Sequence, residues 1–150
     1  MHHVAIMKKS WGLLPKILAG EKTIESRWYK NRSVPWNTIA VGDTVYFKNS
    51  GEPVTVRANV ARVVRLEKLS PMRVKAALHK YGKADGIAAR DLNVYYRKFE
   101  DKRYALLIFL KDVRRIRRPF DIDRKGFGAM TAWISLEHIA RIKIATGGKR

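Results

Sequence analysis

Lys22, Glu25 and Arg27 place an ammonium, a carboxylate and a guanidinium within one short stretch, Gly20-Glu21-Lys22-Thr23-Ile24-Glu25-Ser26-Arg27. An ordinary strand would carry apolar or neutral side chains there. Residues 23–29 are rich in β-branched and aromatic types and read as a strand, so Glu25 and Arg27, two apart, point to the same face. They either pair with each other or jointly meet a ligand. Held by Glu25, the Arg27 guanidinium is a fixed fork for a phosphate or a base edge. In another reading the pair only locks the corner between helix and strand, since buried ion pairs often specify geometry more than stability. Lys22 adds a point charge. If desolvation among other cations lowered its pKa it would serve as base or nucleophile, with Glu25 moving protons. Strand parity puts Lys22 opposite Glu25, but it lies in the turn, and spacing alone leaves its direction open.

The elements that position these groups follow from periodicity. Trp11, Leu14 and Leu18 recur at helical spacing over residues 11–19, and Gly20 is the usual residue for ending such a helix in a left-handed turn. Pro15 requires the helix to begin late or to bend, and Ser10 is the candidate N-cap. A first strand is expected over His2–Met7, with His2 and His3 on opposite sides, solvent-facing and a poor metal pair. No metal or other cofactor is implied anywhere in the chain.

Downstream, Trp28-Tyr29-Lys30-Asn31-Arg32 interleaves aromatics with cations, the combination that stacks bases and meets phosphates. Trp28 and Trp36 are candidates for stacking and equally for the core. Residues 33–38, with Pro35, read as a loop. Residues 43–49 and 54–60 alternate and are joined by Asn49-Ser50-Gly51, a hairpin signal. Continued parity puts Arg62 on the apolar face, which predicts a bulge near Ala61. Ser70-Pro71 starts a helix with a stripe of Val74, Leu78 and Tyr81, and Gly82 ends it; His79 lies off that stripe. A second helix is expected over residues 87–98, with Ala88, Leu92, Tyr95, Tyr96 and Phe99 on one side.

Residues 103–116 read as a central strand, buried on both sides over Tyr104–Leu110 and basic at its end. Between Lys111 and Lys125 seven basic residues (Lys111, Arg114, Arg115, Arg117, Arg118, Arg124 and Lys125) face three acidic ones. This tract is a candidate phosphate-contacting rim; alternatively its charges only deter edge-to-edge aggregation. Arg124-Lys125-Gly126-Phe127-Gly128 lacks the context of a dinucleotide site or P-loop. Trp133 and Ile134 begin a last strand, residues 136–142 form a short helix or strand, and residues 145–150 are a basic tail.

The octet 20–27 matches the Gly-x-Lys-x-x-Glu-x-Arg signature of the ASCH domain, and the chain resembles that family further in the strand and helix before the motif, in Trp36, and in the Val41-Gly42-Asp43 turn. The resemblance implies an α+β fold: a PUA-like β-barrel of about five to six strands with an N-terminal helix, here with an inserted helical pair at about 70–99. Residues 1–144 would then be one domain. It implies an RNA-binding or nucleotide-handling pocket between the first helix and the barrel, with Lys22, Glu25 and Arg27 at its mouth. Some members remove acyl groups from modified cytidine and others are described as ribonucleases, with the motif lysine central. On that reading Lys22 and Glu25 would be catalytic. The amide-cleaving branch prefers a hydroxyl where this chain has Glu25 and needs a further carboxylate, for which Glu67 is the candidate. Whether the protein is an enzyme stays open. Binding RNA, or another single-stranded or structured nucleic acid, is the expectation, with N4-acylcytidine hydrolysis, ribonuclease action or a protein-adaptor role as alternatives.

Composition agrees with an anionic partner. In 150 residues, 32 Lys and Arg against 13 Asp and Glu leave a formal charge of +19, and such a surplus is rewarded by counter-ion release from phosphates. A solvated basic surface is the plainer alternative. There is no cysteine, which removes disulfides, thiolate nucleophiles and cysteine zinc sites and is compatible with the cytoplasm. No apolar run is long enough to cross a bilayer, and a soluble protein without signal peptide is expected.

Overall fold

The computed structural model describes residues 1–128 and 130–145. Its strands are β1 (His2–Met7), β2 (Ile24–Tyr29), β3 (Thr44–Asn49), β4 (Val54–Leu66), β5 (Tyr104–Ile122), β6 (Trp133–Leu136) and β7 (Lys143–Ala145). Its helices are α1 (Leu13–Leu18), α2 (Pro71–Tyr81) and α3 (Leu92–Phe99). All the strands join one sheet in the order β2-β5-β4-β3-β1-β6, with β7 added to β5. Only β1 and β3 run parallel; every other pair is antiparallel. The sheet curls into a half-barrel whose edges are β2 and β6.

Curvature comes from register faults in the two long strands. Val60 pairs Leu110 and Arg62 pairs Phe109, so Ala61 is the extra residue of a bulge, at the place its parity required. A second fault lies between Arg57 and Asn59, opposite the segment of β5 where Asp112 takes φ +52°. These bends let Val56, Ala58, Val60, Leu106 and Ile108 enclose one core with Ala5, Val45, Phe47 and Trp133. Each fully buried side chain of this size contributes roughly 1.5–3 kcal/mol.

The expected hairpin forms, with Gly51 at φ +77° in its turn, but β3 is buried on both faces. Tyr46 belongs to a second apolar layer with Val4, Val54, Phe120 and Ile134, roofed by Ile139 and Ile142 of the C-terminal segment. That segment is a 3-10 turn at Ile139–Arg141. β5 runs six residues past the expected end, because Phe120 and Ile122 continue the second layer. Ala145 ends β7, and the rest of the expected basic tail lies outside the described residues.

Ser70 caps α2 by accepting from Arg73 N–H at 3.3 Å, with Pro71 in the first helical position. The second helix starts later than its stripe implied: Ala88 is extended and Ala89–Asp91 is a 3-10 turn. Together α2 and α3 pack Leu69, Val74, Leu78 and Ile87 over Ala105 and Trp28. At the N-terminus, Lys9–Trp11 is a 3-10 turn and Gly12, at φ +63°, precedes α1. Ser10 therefore sits inside that turn and caps nothing. Pro15 falls in the first turn of α1, where no acceptor is needed for its missing N–H.

His3 is not solvent-facing. It is fully buried, 2.8 Å from Asp43 Oδ2 through Nε2 and 2.8 Å from Ser135 Oγ through Nδ1, while Trp133 Nε1 donates to Nδ1 at 3.1 Å. The indole N–H fixes Nδ1 as acceptor, so Nε2–H donates to the carboxylate. Burial pushes this imidazole below its ordinary value, outweighing the Asp43 carboxylate. His2, on the other side of β1, accepts from Ile139 N–H at 2.9 Å.

Candidate functional site

Gly20, at φ +78°, turns the chain out of α1. The next amides are all held: Glu21 and Lys22 donate to Lys16 O, while Thr23 and Ile24 donate to Ala84 O in the turn after α2. Lys22 is thus fixed before the regular register of β2 begins, and its side chain runs back to the side of Glu25, against strand parity. Gly86, at φ +81°, lies flat on the lysine stem; a Cβ there would stand 3.1 Å from Lys22 Cβ.

The Lys22 ammonium is buried and its hydrogens are all engaged. It donates to Ile24 O at 2.7 Å, Asp85 O at 2.8 Å and Asp85 Oδ1 at 2.5 Å, and lies 3.2 Å from Glu25 Oε1. Burial alone would push its pKa down, but Glu25 and Asp85 outweigh burial and hold it above its ordinary value. The lowered pKa that a base or nucleophile would need is therefore not found, and Lys22 is a charged anchor. Glu25, for which burial is opposed by Arg27 and then Lys22, is held below the usual carboxylate range. Asp85 goes the other way. Burial raises it, Glu25 adds to the rise, and Lys22 and the Ser26 hydroxyl only partly offset them. Ser26 Oγ donates to Asp85 Oδ2 at 2.5 Å and accepts from Trp28 Nε1 at 3.0 Å.

Arg27 and Glu25 do share a face, with Nη2 donating to Oε2 at 2.7 Å. Arg27 also crosses the seam between the sheet edges, reaching Ala132 O just ahead of β6 at 3.4 Å and lying 4.9 Å from the Trp133 ring centre. Its Nε is buried and has no acceptor among the described residues. Native proteins seldom leave such a donor orphaned, and a water or a ligand oxygen is the usual partner.

These groups line a cleft of about 280 Å³ between the 3-10 turn, the edge of β2, and the α2–α3 insertion. That is the small end of ligand sites, roughly 300–1,000 Å³. Its walls are aromatic: Trp28 stacks on Phe99 at 4.7 Å with 6° between the planes, and Trp11 meets Tyr95 edge-on. Cations flank Trp11. Lys98 lies 3.4 Å from the Trp11 ring centre with Lys8 at 5.9 Å, and burial, then Lys8 and Lys102, push the Lys98 pKa down.

Of the residues singled out from sequence, Lys22, Glu25, Arg27 and Trp28 come together here. Trp36 does not. It is 4% exposed in the main core, edge-on to Tyr29 and Tyr104, and its carbonyl accepts from Arg65. The loop bearing it does not border the cleft. Glu67 is half exposed and lies 3.7 Å from Arg32 at the surface; the carboxylate beside Lys22 is Asp85. Arg114, Arg115, Arg117 and Arg118 are exposed on the distal half of β5, beyond the cleft. Arg124 donates to Thr131 O at 2.9 Å, and exposed Lys125 sits in the following turn. Sequence reading missed Asp85, Ser26, Trp11, Tyr95 and Phe99 as wall residues. Only the exposed Trp11 among cations carried a local signal; Asp85 lies 63 positions from Lys22 in a turn without periodicity.

No protein-family model and no curated protein matches the sequence. Among solved structures, the chain is similar to the crystal structure of ASCH from Zymomonas mobilis, with a TM-score of 0.64, 20% identity, and 91% of this chain and 87% of that one covered. This is the ASCH fold. Two mutant forms of the Zymomonas mobilis protein match with the same score and identity, covering 90% and 88% of their own lengths. A hypothetical protein with a TM-score of 0.50 and 20% identity covers 77% of this chain and all of its own. Within the ASCH fold seen here, the charged motif lies at the open seam of the half-barrel, and the helical insertion closes over it. No helix among the described residues is long and apolar enough to cross a membrane.

Proposed function

We propose that the protein binds RNA and that the cleft receives one unpaired nucleotide. The observation that carries this reading is a small cleft walled by Trp11, Trp28, Tyr95 and Phe99 and lined by Arg27, whose buried Nε has no acceptor among the described residues, with Lys8 and Lys98 beside Trp11. An aromatic wall favours a base because every base has a π-face, with stacking worth roughly 1–3 kcal/mol. The Arg27 guanidinium is a charged donor for a phosphate or a base edge, and Lys8 and Lys98 beside Trp11 attract an anion. Lys22 and Glu25 then serve the guanidinium: Lys22 neutralises Glu25, and Glu25 orients Arg27. Fluorescence-detected binding of short single-stranded RNA checks this. Trp11→Ala and Arg27→Gln should each weaken binding by about tenfold or more, consistent with loss of one stacked base or one charged hydrogen bond; unchanged affinity in both rejects the cleft.

Asp85 supports a second reading, hydrolysis of an acylated cytidine or of RNA. A buried carboxylate that accepts from Lys22 and from the Ser26 hydroxyl, and whose basicity burial raises, is suited to take a proton. In that case Asp85, with Lys22 fixing its position, takes the base role. Release of the acyl group from acetylated cytidine, lost in Asp85→Asn, is its test. The adaptor reading has no comparable support, since the helical pair spends its apolar stripe on the sheet and the cleft wall.

A further inference from the structure

A dense run of cations lies outside the cleft, along the distal half of the β4–β5 ribbon. Arg57, Lys111, Arg114, Arg115, Arg117 and Arg118 are all exposed there, and none forms a salt bridge with a described residue. Arg57 and Arg114 are directly opposed across the two strands. Like charges so placed destabilise a sheet, so the ribbon is built against its own stability unless an anion sits over it. Its chemistry also differs from that of the cleft. The aromatic rings nearest this stretch, Tyr46 and Phe120, are buried in the second apolar layer, so the ribbon offers cations without a stacking platform. Proteins that hold single strands combine cations with exposed aromatics, whereas a paired helix is gripped through its phosphates.

The register gives the spacing. Ile108 is the cross-strand partner of Glu25, and Arg114 and Arg118 lie six and ten residues further along β5. At roughly 3.4 Å per residue these are about 20 and at most about 34 Å from the cleft. Measured along the axis of a duplex, whose rise is about 3.4 Å per base pair in B-form DNA and less in an A-form RNA stem, that reach is on the order of ten base pairs.

We infer that the ribbon is a docking surface for the phosphate backbone of a base-paired RNA stem, whose flanking unpaired nucleotide enters the cleft. This rests on the reading that the cleft takes a nucleotide, and the two contacts are separable by experiment. Three probes suffice: an RNA hairpin with a stem of about ten base pairs, the same stem as a blunt duplex, and the loop as a short single strand. Each is titrated at two salt concentrations against the wild type, the ribbon variant Arg57→Gln/Arg114→Gln/Arg118→Gln, whose positions share the face of Tyr46 and Ile116, and Trp11→Ala.

The ribbon variant should bind the hairpin and the duplex at least tenfold more weakly, with the salt slope reduced by roughly two to three for three lost phosphate contacts, and the short strand nearly as before. Trp11→Ala should weaken the hairpin and the short strand and spare the duplex. Hairpin affinity unchanged in the ribbon variant, or an equal loss for all three probes, overturns the inference. Ribbon-dependent duplex binding in a protein that never binds the short strand overturns the cleft reading and with it the two-point arrangement. The variant's melting temperature, expected to rise as like charges are removed, shows that it folds.

Discussion

Lys22 is the residue on which the other charges depend. Removing its ammonium leaves Glu25 with only Arg27 and Asp85 with only the Ser26 hydroxyl, both sealed from water. Breaking a buried pair from one side costs about 3–5 kcal/mol, so Lys22→Met should lower unfolding free energy by that order in urea melts. Asp85→Asn keeps an oxygen for Lys22 and a polar contact for Ser26, and should cost far less. His3 makes the pH behaviour of the fold legible. Its folded pKa lies below the ordinary 6.5, so the folded protein resists protonation that the unfolded chain accepts. Stability is therefore complete above about 6.5 and declines as pH falls through that value toward the folded pKa. Thermal melts between about pH 7 and pH 5 should show this decline, reduced in His3→Gln.

At the scale of elements, two glycines separate conformational strain from crowding. Gly20 and Gly86 both have positive φ, but a Cβ on Gly20 meets open space, whereas one on Gly86 meets the Lys22 stem. Gly20→Ala should cost only the left-handed penalty, about 1–2 kcal/mol. Gly86→Ala should cost more and also weaken RNA binding, because the stem it displaces holds Glu25 and Arg27. Differential scanning calorimetry alongside the RNA titration measures both. The elements also show what local pattern encodes. The Ala61 bulge was legible because Arg62 broke a clean alternation, and the start of α2 because Ser70-Pro71 is a local capping signal. The direction of Lys22 was not legible, since it is set by amides bonded to Lys16 O and Ala84 O, not by strand parity. His3 was misplaced, and Trp36 was left open between stacking and core, for the same reason: their partners, Asp43 and Ser135 for one, Tyr104 and Arg65 for the other, are distant in sequence. Asp85 had no local mark at all.

For the molecule as a whole, the +19 charge makes two responses to salt run in opposite directions. Added salt screens self-repulsion and should raise the melting temperature of the free protein. It should lower RNA affinity over the same range, because fewer counter-ions are released on binding. A protein whose basic surface is only solvated would show the first response and not the second. The fold class was readable from the octet at residues 20–27 and its surroundings, while the site was only partly readable, because Asp85, Ile87, Tyr95 and Phe99 come to it from the insertion between β4 and β5.

That division bears on how such a domain can be shortened or recombined. A trimmed version lacking residues 70–99 would keep Lys22 yet lose the amide clamp at Ala84 and the Asp85 carboxylate. Its ammonium would be left lopsided beside a single glutamate and open to water. Motif and insertion are thus one heritable unit, and a chimera that takes either from a different parent should assemble only when its counterpart travels with it.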